Sequence, residues 1–334
     1  MSTASRQRKG FRWPIGWGVF NFLLSVALIS GAIWLVVNRQ TVIDWWRLRS
    51  YTPSAAVVAL ADADTMVGFG RDMLYVSDPK IQVAQDFTQS CGNDGEQSIV
   101  LGCYSNQAIY LFDVTNPQLN GVKEVTAAHE MLHAAYDRID STTKTRVNEL
   151  LQADMRRVAD DHLNQLVDLY NKTEPGELLN EMHSILGTEY GNLTPELETY
   201  YKKYFADRSK VLAFSNAYKG VFTASQARIA DYDRQLASLK KQIDANYAQL
   251  EEKKRQLDAE SSRLDHLRAT DPPAYNKAVP SYNAQVSSYN NLSNATKNIV
   301  NQYNAIVAKR NAEAAAQNNL YQSLNSQYQT VQGN

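Results

Sequence analysis

Five residues near the middle of the chain, His129-Glu130-Met131-Leu132-His133, have the types and spacing that metal-assisted hydrolysis requires. Histidines four apart share one face of a helix, so both imidazoles can reach a single ion. A glutamate directly after the first histidine lies beside that ion rather than on it. Zinc brings the pKa of a water it holds close to neutrality, and a neighbouring carboxylate can take the proton. His129 and His133 are therefore the expected metal ligands and Glu130 the expected general base. The flanking residues Thr126, Ala127, Ala128, Ala134 and Ala135 are uncharged, as a buried active-site helix needs. The chain has only five histidines, so histidine abundance does not account for the pattern.

A catalytic zinc takes three protein ligands and keeps one position open. A third histidine ten residues after His129 would define the metzincin pattern, but that position is Ile139. Further on, LLNEMHSIL at 178–186 reads as a helix carrying Asn180-Glu181. An HExxH motif followed by a helix bearing Asn-Glu resembles the gluzincin, or thermolysin-like, branch of the zinc metallopeptidases. The resemblance covers roughly residues 98–190. It implies a mostly helical α+β zincin-like domain with a small antiparallel sheet, binding Zn2+ through His129, His133 and Glu181 with Glu130 as general base. The 47 residues separating His133 from Glu181 make a longer gap than the thermolysin type has, and a helical insert at 141–172 fills it.

Two other residues compete for the third ligand position. Glu189, in Gly187-Thr-Glu-Tyr-Gly191, resembles the aspzincin signature with Glu in place of Asp. His183 is two residues from Glu181, so on a helix it faces elsewhere by roughly 200°. His183 would then suit a second role, donating a hydrogen bond to the oxyanion of the reacting carbonyl. Tyr190, Tyr200 and Tyr201 are further candidate donors. Asp137, one turn beyond His133, is a candidate partner for a ligand imidazole. His162 and His266 suggest no role.

The elements that position this motif can be read around it. Residues 98–101 and 108–112 (AIYLF) look like short strands bounded by turn residues. AIYLF is expected at a sheet edge, where an extended substrate could add as a further strand. Helix caps are expected at Ser54, at Asp140 or Ser141, and at Thr194-Pro195. Cys91 and Cys103 enclose a short polar loop and are expected to be bridged.

The rest of the chain surrounds this domain, placed at 51–213. Residues 15–37 carry no charge and, as a helix, are long enough to cross roughly 30 Å of hydrocarbon. Trp13, Trp17, Trp34, Trp45 and Trp46 flank the run as interfacial aromatics do. Arg6, Arg8, Lys9 and Arg12 precede it, against Arg39, Arg47 and Arg49 offset by Asp44. That balance predicts a cytoplasmic tail at 1–14 and a single-pass anchor, with the remainder outside the cytoplasm. The apolar run continues past Ser30-Gly31-Ala32, which favours an uncleaved anchor over a signal peptide.

Residues 214–334 carry heptads. Ile229, Leu236, Ile243, Leu250, Leu257 and Leu264 recur every seven residues. A second series follows Pro280, with Tyr282, Tyr289 and Tyr303 in one register and Val286, Val300 and Val307 in another. A break at 270–280 between them predicts an antiparallel coiled-coil hairpin, open to a protein partner. The formal net charge of -1 argues against nucleic acid as a partner.

The expected activity is that of a membrane-anchored zinc peptidase acting on peptides or proteins. One alternative is a surface scaffold or adhesion protein with an inactive zincin-like domain. Another is a hydrolase of cell-wall peptides.

Overall fold

A computed structural model describes residues 15–91, 99–158 and 160–327, with side chains from Gly18 onward. The expected basic tail 1–14, with Trp13, lies outside the described residues, as do Ser98 and the side chain of Trp17. Among the described residues the fold is mostly helical with one three-stranded sheet, ordered β1-β3-β2.

Helix α1 spans Ile15–Val37, and its segment Gly18–Val37 is long and apolar enough to cross a membrane. None of that segment is buried, which distinguishes it from the core helix of a soluble domain. Helix α2, Arg39–Ser50, follows after a single residue. Helix α3, Ala55–Ala63, starts where the Ser54 hydroxyl accepts from Val57 N at 3.3 Å, the expected cap. Helix α4, Phe69–Val76, and strand β1, Lys80–Gln82, come next.

Helix α5 is Ala84–Cys91, β2 is Gly102–Ser105 and β3 is Ala108–Phe112. The strand expected at 98–101 thus begins later, at Gly102. Asn106 and Gln107 join β2 to β3 with φ of 51° and 61°, the paired left-handed conformations of a tight hairpin turn. Phe112 N donates to Leu101 O at 2.9 Å, continuing that antiparallel ladder. Along β1 and β3 the pairing advances in step, Ile109 N to Ser77 O and Asp113 N to Gln82 O, both 2.8 Å. Those two strands are parallel, so the sheet is mixed rather than antiparallel.

AIYLF is therefore the central strand, with a neighbour on each side, and not the expected edge for substrate addition. Its composition suits the centre: Ile109, Leu111 and Phe112 are all buried, as a strand covered on both faces requires.

Cys91 and Cys103 are bridged, tying the end of α5 to β2 across a separation of 12 residues. Closing a loop of that length restricts the unfolded chain. Replacing both cysteines by serine should lower stability by about 3 kcal/mol, measured by chemical denaturation.

After a 3-10 turn at Pro117–Leu119 come α6 (Val122–Arg138), α7 (Ser141–Val158), α8 (Asp161–Thr173), α9 (Leu178–Glu189) and α10 (Pro195–Tyr201). Asp140 is the cap of α7, accepting from Thr142 N and Thr143 N at 3.0 Å each. Asp160 caps α8, accepting from Leu163 N at 2.7 Å.

Two long helices close the chain, α11 (Ser209–Thr270) and α12 (Pro272–Leu324). The break between them is one residue, Asp271, rather than the stretch 270–280. Asp271 accepts from Ala274 N at 3.1 Å, and Pro272-Pro273 occupy the first turn, where a missing N–H costs nothing. Pro280 lies inside α12 and is exposed, so water can reach the carbonyl its ring leaves without a donor. Contacts Arg228–Glu313, Asp233–Arg310 and Lys253–Ser288 descend one helix as they ascend the other, so the pair is antiparallel. All the heptad positions named above are wholly or partly buried, which is compatible with a coiled coil.

The chain divides into two compact units that do not follow the boundary expected at 213/214. The first comprises 1–80, 104–109 and 127–208. The second comprises 81–103, 110–126 and 209–334. In the second, Phe87, Phe112, Val114, Leu119 and Val122 share a core with Leu320 and Leu324 at the end of α12. That apolar cluster is why segments around the sheet group with the long helices.

Candidate metal centre

Helix α6 carries the HExxH motif and is apolar on nearly every side. Ala127, Ala128, Met131, Leu132, Ala134 and Ala135 are wholly buried. Only a helix enclosed by its neighbours tolerates such a composition. Helix α9 packs on it at Gly187. A Cβ there would come within 2.5 Å of Leu132 Cδ1 and 2.9 Å of the Tyr201 ring, so the close approach needs glycine. The far end of α9 is held by Arg208, which donates to Leu186 O and Gly187 O at 3.2 Å and to Tyr190 O at 2.8 Å. A cation on the last carbonyls of a helix both satisfies them and suits its dipole.

This packing brings three side chains together. His129 Nε2 and His133 Nε2 lie 3.0 Å apart. Glu181 Oε2 is 3.8 Å from His129 Nε2, and Glu181 Oε1 is 3.6 Å from His133 Nε2. Arms of about 2.0–2.2 Å to one ion require ligand atoms no more than roughly 4 Å apart. Those separations use both Glu181 oxygens; with one ligand atom taken from each residue the three lie within 4.8 Å of one another, close to that limit, so the His129, His133 and Glu181 group could hold a metal ion.

Burial would raise the Glu181 pKa. A hydrogen bond from His129 and the nearby charges of His133 and His129 outweigh it and bring the value down to about 2. The carboxylate is thus ionised, as a ligand must be. The Tyr170 hydroxyl, on α8, also hydrogen-bonds Glu181 and favours the charged form.

The orientation of His133 follows from a chain of donors and acceptors. Asn180 Nδ2 donates to Glu177 Oε2 at 3.0 Å, which fixes the amide, because a carboxylate only accepts. Asn180 Oδ1 then faces His133 Nδ1 at 3.0 Å and accepts a hydrogen bond from its N–H. With Nδ1 protonated, the lone pair of His133 Nε2 is left for an ion. Such outer partners are worth about 10–100-fold in metal affinity. Asn180→Ala should weaken metal binding by that factor, measured by chelator competition, while leaving the fold intact.

Sequence reasoning named Asn180 beside Glu181 but gave it no role of its own. Its adjacency to Glu181 on one helix was the available signal. Asp137, the expected partner for a ligand imidazole, is exposed and belongs to the surface.

His183 corrects a second expectation. It is wholly buried, with Nε2 2.9 Å from the Tyr200 hydroxyl and its ring among Tyr136, Tyr200, Tyr201 and Tyr204. Burial, then the neighbouring charge of His133, hold its pKa down at about 3, so the ring is neutral. An oxyanion donor must face substrate, and this ring faces a tyrosine cluster. The tyrosines are engaged too. Tyr200 hydroxyl lies 2.6 Å from Tyr204 hydroxyl, Tyr201 hydroxyl donates to His183 O at 2.7 Å, and Tyr190 hydroxyl donates to Asp160 Oδ1 at 3.3 Å.

Glu189 ends α9, two turns beyond Glu181 or about 12 Å along the axis, and is not in the converging group. Glu130 is buried, at 5 % exposure, beside His129 in sequence. His162 and His266 are exposed on α8 and α11. Comparison with protein-family models, with curated proteins and with solved structures found no match to this chain.

Proposed function

We propose that this chain is a membrane-anchored zinc peptidase, with α1 as its anchor and its metal centre outside the cytoplasm. The observation that carries the reading is the convergence of His129, His133 and Glu181, with a buried carboxylate, Glu130, next to the first of them. Two imidazoles and one carboxylate form the donor set of many hydrolytic zinc sites. The same set also occurs in oxygen-activating iron sites, but Glu130 is the feature a hydrolase needs and an oxygenase does not. When bound, zinc supplies a Lewis acid for the scissile carbonyl and makes a water acidic enough to lose its proton near pH 7. Glu130 would take a proton from the water that attacks the carbonyl and return it to the amine as the peptide bond breaks. His129, His133 and Glu181 hold the ion, and Asn180 keeps His133 in the ligating tautomer.

A second reading has its own support: α11 and α12 occupy 62 and 53 residues, a large investment for a peptidase. In that reading the hairpin does the work as a scaffold or adhesion element and the metal site is structural. The full chain in detergent, assayed for metal content and against a peptide library, separates the two. About one zinc per chain with cleavage supports the peptidase. Absence of zinc at His129 and His133 overturns it. Cell-wall peptides belong in the same library, since they present the same bond.

A further inference from the structure

We propose that contacts between α2 and the metal-binding helix fix the site at a short, set height above the bilayer. Its substrates would then be peptide segments within about nine extended residues of the membrane surface. This rests on the anchored-peptidase reading above.

The connection from anchor to site is short. Asn38 N donates to Trp34 O at 2.9 Å, ending α1, and Val42 N donates to Asn38 O at 3.1 Å, starting α2, so a single residue joins the two helices. Residues 32–52 contain neither glycine nor proline. On α2, Gln40, Asp44 and Arg47 share a face, four and three residues apart. Asp44 accepts from Arg138 Nε at 3.0 Å and from a second guanidinium nitrogen at 3.3 Å. Arg138 is the last residue of α6 and also donates to the Tyr104 hydroxyl at 2.8 Å.

The Arg138 and Asp44 side chains are only 4 % and 13 % exposed, so this is a desolvated two-pronged pair and not a loose surface one. Beside it, Gln107 Nε2 donates to Gln40 Oε1 and Arg47 donates to Gln107 O, both at 3.3 Å. The stem therefore grips the end of α6 and the tip of the β2–β3 hairpin at once. A swinging linker makes no such contacts.

The geometry bounds the height. Asp44 lies seven residues past the end of α1, or about 10 Å of helix, and His133 lies five residues before Arg138, or about 8 Å. Contact between two helices adds about 8–10 Å. Laid end to end, these keep His133 within roughly 30 Å of the hydrocarbon edge, whatever the tilt. An extended chain covers that in about nine residues.

The test uses the full chain in lipid nanodiscs. One cleavable peptide is offered free, or joined to a transmembrane anchor by spacers of about 9 and about 40 residues. The nine-residue spacer should be cut at least about tenfold faster than the free peptide, because anchoring raises local concentration at the right height. Inserting a flexible Gly-Ser segment between Asn38 and Arg39 leaves α2's contacts in place. It should move the preference to the longer spacer without changing the rate on free peptide. The same spacer preference in both proteins overturns the proposal. If no peptide is cut at all, it is the peptidase reading that fails. The height is then decided by spin-label distances from Ser141→Cys to labelled headgroups. Distances on the order of 30 Å sustain the fixed height, and a broad spread reaching far beyond it overturns it.

Discussion

Glu130→Gln should reduce kcat for peptide cleavage by about 10²–10⁴-fold while the protein keeps its zinc. The substitution removes the proton acceptor. Glutamine has the size and shape of glutamate, which matters at a residue only 5 % exposed. His129, His133 and Glu181 are untouched, so metal content measured by elemental analysis should stay at one ion per chain. KM should move little, because a general base acts on the reacting water rather than on the bound peptide. The two readouts separate the roles cleanly. Loss of activity with zinc retained marks Glu130 as the base. Loss of both makes it a structural carboxylate inside α6. Retention of both places the chemistry elsewhere.

The candidate metal site was the most legible part of this chain, because its first two expected ligands depend only on helix geometry. His129 and His133 share a face wherever α6 goes. Glu181 was one of three choices for the third ligand, and it is the one packing brings near the pair: α9 meets α6 at Gly187, which places Glu181 by the two imidazoles and His183 in the tyrosine cluster. The 200° between the two residues could be read from spacing, but not what His183 would meet on the other side.

Strand position was illegible for a related reason. AIYLF has the same composition at the edge or the centre of a sheet, and only the arrival of β1 alongside, in parallel, decided the matter. Pro272-Pro273 and Pro280 read as an extended breaker, yet Asp271 caps a helix that begins at once and continues through Pro280. Proline forbids hydrogen bonds at particular positions, and whether those bonds are needed depends on where a helix starts and which face meets water. The two-unit division escaped notice because its cause, the cluster of Phe112 and Leu119 with Leu320 and Leu324, joins residues about 200 apart in sequence.

Glu181→Ala should lower zinc affinity more than Asn180→Ala does, by well over about 100-fold, since it removes a ligand and not merely a ligand's partner. Glu189→Ala should leave the metal in place. His183→Phe should also keep zinc. Tyr200 retains its contact with Tyr204, and the loss is a buried hydrogen bond, which lowers stability by about 1–2 kcal/mol. If zinc instead follows Glu189 or His183, the third ligand has been assigned wrongly, however well the histidine pair survives.

The metal-free protein gives an independent check through pH. The Glu181 pKa is about 2 when folded, against an ordinary 4.5, so its ionised form favours folding. That contribution is present above about pH 4.5 and disappears as the pH falls toward 2. Chelated wild type should therefore unfold at a higher temperature than chelated Glu181→Gln near pH 5, and the two should converge as acid protonates the carboxylate. A gap that stays constant down to pH 2 would mean that Glu181 contributes by packing alone.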